Sequence, residues 1–219
     1  MTDASKDMYL ADDWISAPIA DRFMRLAAAE ALRRHSDWTE VVAGLDSLAV
    51  QFDPERTDPA TARLLFQRHL GGVESGSEAT AKTVIIPVCY EEDFGPDLNH
   101  VADMLQIHAD DIPSWHAAQR WTVDMLGFQP GFAYCRSDGD LLDIARLDQP
   151  RQTVPAGSVG LLGGLCGLYP FEGPGGWPLI GRTPLRLFDP AREPASLLAA
   201  GTPIRFEAIG RARFKALKA

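Results

Sequence analysis

The chain is poor in cysteine, has no excess of positive charge and contains no long apolar run. Its 219 residues hold three cysteines, Cys89, Cys135 and Cys166, widely spaced and without a CxxC pair. That pattern excludes a disulfide framework and points to a reducing, cytoplasmic setting. Lysine and arginine number 21 against 30 aspartates and glutamates, a formal net charge of −9 with a pI near 5.0. Nucleic acids and anionic membranes need a basic face, so neither is expected as a partner. No apolar stretch approaches the ~20 residues of a membrane span. The opening MTDASKDMYLADDW is polar and acidic, unlike a secretory signal. His100 and His108 are eight apart, and no HxxxH or HExxH occurs, so no metal site is legible. The run GLLGGLCG lacks the Lys-Ser/Thr of a P-loop, so an ATP-dependent reaction would need groups from another subunit.

Glycine is what the chain has in quantity. Twelve of its nineteen glycines lie between Gly127 and Asp189. Phe128, Phe132, Tyr134, Val159, Leu161, Leu162, Tyr169, Trp177, Ile180 and Leu187 alternate with them. A flexible linker would lack such residues. Glycines set among apolar residues mark tight turns, bulges and close backbone approaches, so short strands joined by special turns are expected.

In the segments before that region, residues 1 to about 14 read as loose. A helix opens at Pro18 and ends near Arg33-Arg34-His35. Two strands, around Val41-Val42 and Leu48-Val50-Phe52, flank a turn at Gly44. Asp58-Pro59 starts a second helix that stops at Gly71-Gly72. The run VESGSEATAK reads as a linker, with a boundary near residue 80. TVIIPVCY is a strand in which Pro87 marks an edge or a bulge. A turn and helix follow, then a short helix from Asp110-Asp111 to about Ala118 and a strand from Arg120 to Leu126. A last strand spans Thr202 to Ala208, before a basic tail, RARFKALKA, of undetermined structure.

The runs IPVCYEEDFGPDL, MLGFQPGFAY, PRQTVPAGSVGLLGG and PGGWPLIGRTPLRLFDP, in that order, resemble the KipI-like family. That family comprises the B-type component of bacterial 5-oxoprolinase, the first component of allophanate hydrolases, the sporulation-kinase inhibitor KipI and half of the carboxyltransferase domain of urea carboxylase. The resemblance implies an α+β fold, with a small N-terminal α/β sandwich (residues 1–80) and a cyclophilin-like β-barrel (residues 81–219). It also implies a subunit of an ATP-dependent amide or lactam hydrolase, with 5-oxoproline as substrate. ATP would be bound with or by a homologous carboxyltransferase-type partner subunit. The alternatives are a regulator of a histidine kinase and a subunit of an allophanate- or urea-processing enzyme. Three departures stand out. The family's strand before the first helix reads as short or missing. Its GGQTG is Gly163-Gly164-Leu165-Cys166-Gly167 here, and the Ser before PGGW is replaced by Gly173-Pro174.

Candidate residues follow from both readings. His116, eleven residues before Gly127, is either a general acid/base or a structural histidine closing a helix. Gly127, Phe128, Pro130, Gly131 and Phe132 suggest a pocket lip, with backbone N–H groups for an oxyanion and phenyl rings as wall. Arg151 and Arg182 could fork onto a carboxylate or pair with Asp143, Asp148 or Asp189. Cys166 is a candidate nucleophile or a buried inert thiol, and Ser158 is a second candidate. Tyr169, Gly175, Gly176 and Trp177 would shape an aromatic-walled cleft, or a loop packed on itself.

Overall fold

A computed structural model describes residues 7–73, 82–139 and 144–218. The linker expected over residues 73–82 lies largely outside them, as does Asp143. The chain divides into two compact units, Met1–Thr80 and Ala81–Ala219.

The first unit is a four-stranded antiparallel sheet in the order β1-β2-β4-β3, with two helices. Its strands are β1 (Tyr9–Ala11), β2 (Trp14–Pro18), β3 (Glu40–Ala43) and β4 (Ser47–Gln51). Alternation sends Ile15, Ala17, Val41, Leu48 and Val50 to one face. There they pack with Ala28, Ala29 and Leu32 of α1 (Arg22–Leu32) and Ala62 and Phe66 of α2 (Pro59–Gly71). The Asp58 carboxylate caps α2, accepting from the N–H groups of Ala60 and Thr61, with Pro59 in the first turn.

Three expectations are corrected here. Part of the opening segment is not loose, because Tyr9–Ala11 pairs with Trp14–Ser16 as a hairpin. The strand before the first helix is present as β2. Pro18 closes that strand, opposite Ser47, rather than opening a helix. The helix begins four residues later, where Asp21 accepts from Met24 N–H at 2.6 Å.

The second unit is a seven-stranded sheet in the order β12-β9-β10-β7-β6-β13-β5. In chain order these strands are β5 (Val84–Val88), β6 (Trp121–Leu126), β7 (Ala133–Ser137), β9 (Ser158–Leu162), β10 (Leu165–Leu168), β12 (Leu179–Arg182) and β13 (Pro203–Ala208). The parallel pair is β13 with β5; the other neighbours are antiparallel. Pro87 sits in β5, at the end of the order, where a missing N–H is tolerated. The sheet curls until its ends meet. Cys89 N–H donates to Arg182 O and Arg182 N–H donates to Cys89 O, both at 2.9 Å. The result is a nearly closed, barrel-like sheet. Ile86, Val88, Val123, Cys135, Val159, Leu161, Cys166, Leu168, Ile180 and Phe206 are among the residues of its core.

A short ribbon of β8 (Arg151–Val154) with β11 (Gly173–Gly175) stands apart from that sheet. Helix α3 (Leu98–Leu105) follows the FGPDL turn, and α4 (Ile112–Ala118) precedes β6. The basic tail is helix α5 (Arg211–Lys218), anchored by Phe214, whose ring lies 4.6 Å from that of Phe94.

Candidate functional site

His116 ends α4 inside the core. Its side chain is fully buried, stacked on Phe206 at 4.1 Å, with the Tyr90 hydroxyl 2.7 Å from Nδ1. Nε2 is buried without a hydrogen-bond partner. Burial alone pushes its pKa down to about 3, so the ring is neutral at physiological pH. The Trp121 indole N–H closes the helix end by donating to His116 O at 3.1 Å. The ring packs among Tyr90, Trp121 and Phe206. A buried, neutral ring at a helix end fits the structural reading of His116.

Cys166 meets a similar fate. Along β10, Cys166 and Leu168 point into the core and Leu165 and Gly167 point outward. Burial raises the Cys166 thiol well above its usual range, and its cross-strand neighbour Cys135 adds to this. It is a packed, protonated thiol, which fits the buried, inert reading. Ser158 is likewise buried, in β9. Arg182 is committed to the barrel closure, where its Nε donates to Ala156 O at 2.7 Å.

The remaining candidates converge on the outward face of β7 and β10. Phe132 is the hub. Its ring lies 5.4 Å from Phe128, 4.8 Å from Tyr134, 4.9 Å from Tyr169 and 6.1 Å from Trp177. Most of these contacts are edge-on or tilted, as aromatic quadrupoles favour. The floor is Gly167, opposite Tyr134 in register; a Cβ there would strike both the Trp177 and Phe132 rings. Gly175 is required similarly, because a Cβ would press on the Tyr169 hydroxyl.

The GFQPGF loop forms one rim. Phe128 holds a φ of +68° and Gly131 a φ of +80°. Phe128 stays exposed while Phe132 turns inward. Three of its N–H groups are not the open donors expected: Gly127 donates to Phe132 O, Gln129 to Gly127 O and Phe132 to Gln129 O. Pro130 brings no donor. The loop offers instead the Gln129 side chain, which lies against Gly173 of β11 and whose Oε1 is buried and unpartnered.

Arg151, Arg146 and the two phenols supply donors. Among the described residues, Arg151 pairs with neither Asp148 nor Asp189. Its Nη2 donates to Asp97 Oδ1 at 2.7 Å, while Asp97 Oδ2 accepts from Leu179 N–H at 2.7 Å. Arg151 Nη1 is buried without a partner. Asp97 belongs to the FGPDL turn, which is pressed so closely on β12 that a Cβ at Gly95 would collide with Ile180 O. The Arg146 stem lies across Gly176. Burial pushes the Tyr169 hydroxyl up to about 12 and raises that of Tyr134. The Arg146 charge opposes burial at both hydroxyls and the Arg151 charge at Tyr169. Both hydroxyls are therefore protonated donors at neutral pH. The site combines cationic and phenolic donors with one amide acceptor, over an aromatic wall. Sequence reasoning misses Gln129, Tyr134, Arg146 and Asp97 as site residues. Gln129 and Tyr134 lie inside the motif GFQPGFAY, whereas Arg146 and Asp97 carry no local signal.

A nearly closed sheet carrying this outward site defines a carboxyltransferase-type fold. Residues 3–198 match the family model of the carboxyltransferase domain, subdomains C and D, and the chain belongs to that family. It is 40% identical over 152 residues to the B-type component of 5-oxoprolinase from Bacillus subtilis (strain 168), covering 69% of this chain and 63% of that protein. The protein of the same name from Escherichia coli O157:H7 is 44% identical over 129 residues, 59% of each chain. That of Haemophilus influenzae is 38% identical over 182 residues, 82% of this chain and 84% of the relative. The match thus spans about six tenths of the length of the first two relatives. Among solved structures, TTHA0988 is similar with a TM-score of 0.77 and 31% identity, over 90% of this chain and 40% of that one. Kluyveromyces lactis urea carboxylase shares the fold, with a TM-score of 0.78 at 16% identity, over 95% of this chain and 22% of that one.

Proposed function

We propose that this chain is one subunit of an ATP-dependent lactam hydrolase that opens 5-oxoproline to glutamate. The observation that carries the reading is the mixed donor and acceptor set gathered around Phe132. A cyclic amide bearing a carboxylate presents three polar features: an anion, a carbonyl and an N–H. Arg151 and Arg146 suit the anion, because guanidinium groups bind carboxylates by charge-assisted hydrogen bonds. The Tyr134 and Tyr169 hydroxyls suit the carbonyl oxygen, which gains negative charge as the ring opens. Donors held in a dry, preorganised wall stabilise that charge far more than water does. Gln129 Oε1, buried without a donor, suits the lactam N–H. The names of the three relatives support the same assignment.

The lactam is stabilised by amide resonance, and ATP supplies the driving force for opening it. This chain carries no P-loop, so ATP is held with or by a partner subunit, which we take to be a homologous carboxyltransferase-type chain. The closing of the sheet through Cys89 and Arg182 supports the cyclophilin-like reading of the second unit. A cytoplasmic location belongs to the same reading and rests on the sparse, unpaired cysteines. Among the described residues no helix is long and apolar enough to cross a membrane.

The test is 5-oxoproline-dependent ATP hydrolysis by the chain assembled with its partner subunit. Arg151→Ala and Tyr169→Phe should each lower kcat/KM at least tenfold, the worth of about one charge-assisted hydrogen bond. Full activity in both would remove this face from catalysis. Recovery of a histidine kinase in place of a carboxyltransferase-type partner would favour the regulatory alternative.

A further inference from the structure

We propose that His35, Asp37 and His69, in the first unit, form a site for a borderline divalent cation such as zinc. Each offers one ligand atom, and the three atoms lie within 4.8 Å of one another. They come from two segments. His35 and Asp37 follow α1, in the turn where His35 N–H donates to Leu32 O. His69 lies in the last turn of α2.

The His69 ring is held in place. Trp38 packs edge-on against it at 6.0 Å, and its Nδ1 is buried without a partner. Its Nε2 stands 3.8 Å from Asp37 Oδ2. That gap is too long for a hydrogen bond. It is close to the spacing of two ligands on one ion: bonds of about 2.0–2.1 Å in tetrahedral array put ligand atoms about 3.3 Å apart. With Nδ1 carrying the proton, the Nε2 lone pair faces a carboxylate across that gap, and a cation between them satisfies both.

His35 stacks on His69 at 3.9 Å with planes 15° apart. Imidazole lone pairs lie in the ring plane, so His35 must swing out of this stack to reach the ion. Its exposed position in a turn permits that. Two imidazoles and one carboxylate suit zinc, nickel or cobalt better than magnesium or calcium, which take oxygen ligands. Water fills the remaining positions, and the ion ties the end of α1 to the end of α2.

The test is calorimetric titration of the full-length, tag-free chain with zinc chloride, paired with the visible absorption of the cobalt form. One ion per chain is expected, with the intense d–d bands of tetrahedral cobalt. His69→Gln should weaken binding at least tenfold. Because His69 is largely buried, the exposed variant His35→Ala serves as a second check and should weaken binding as much. A His100→Ala/His108→Ala double variant should bind as the parent does. Absence of one-to-one binding, unchanged affinity in both His35→Ala and His69→Gln, or loss of binding in the double variant would each overturn the proposal.

Discussion

His116 has an ordinary pKa of 6.5 when the chain is unfolded and one near 3 when it is folded. The folded state refuses the proton, so this residue's contribution to stability is complete above pH 6.5. It is lost as pH falls from there toward 3, because the unfolded chain takes up a proton that the folded chain cannot. A shift of this size corresponds to on the order of 5 kcal/mol at the acid end. His116→Asn keeps a polar group for the Tyr90 hydroxyl but does not titrate. Urea midpoints measured from pH 7 to pH 4 should fall less steeply in the variant than in the parent. The sequence shows the residue type and its place at a helix end, but burial is a property of the packed core. Asp97 is invisible there for a related reason: its partner Arg151 lies 54 positions away, and nothing local marks the pair. Asp97→Asn should free the Arg151 guanidinium to wander. Under the function proposed above, the expected signature is a KM for 5-oxoproline raised about tenfold, with kcat changed much less.

Elements are more legible in this sequence than their ends. The second helix announces itself through Asp58 and Pro59, because capping chemistry is local. The first helix is placed four residues early, since Pro18 can begin a helix or finish a strand, and only its pairing with Ser47 decides. The hairpin of β1 and β2 is hard to see because a three-residue strand has almost no periodicity. In the Gly-rich region, the density of glycine marks close packing without showing what is packed. The FGPDL turn is the sharpest case. Gly95 lets this turn touch the backbone of β12, and the same contact sets Asp97 beneath Arg151. Gly95→Ala must push the turn away from Ile180. It should cost about 2 kcal/mol, visible as a lowered urea midpoint, and, under the proposed function, should weaken 5-oxoproline binding together with stability.

For the whole molecule, the two units have separate hydrophobic clusters. One is built around Leu48, Phe52 and Phe66, the other around Trp121, Leu161 and Phe206. Separate cores predict separate melting. Scanning calorimetry should resolve two transitions, and Phe66→Ala should lower one of them while leaving the other in place. A single transition with equal calorimetric and van't Hoff enthalpies would mean that the units unfold as one. A mixed α/β fold with a barrel-like sheet is readable because several long motifs occur in family order. The His35–Asp37–His69 group is not, since two segments more than thirty positions apart must fold together before it exists.

Gly167 has a consequence for how this surface can diversify. Beneath Phe132 and Trp177 the floor is bare peptide, with no side chain to exchange and no rotamer to adjust. Any substitution there evicts a ring, so the floor is closed to gradual change. Leu165, two residues along the same strand face, and Gln129 on the rim carry no such penalty. Drift in substrate preference among descendants of this chain should therefore be written at the margin of the site, over an invariant base. A directed-evolution library that concentrates its diversity on residues 129 and 165 should yield more folded, altered-specificity variants than one that includes 167.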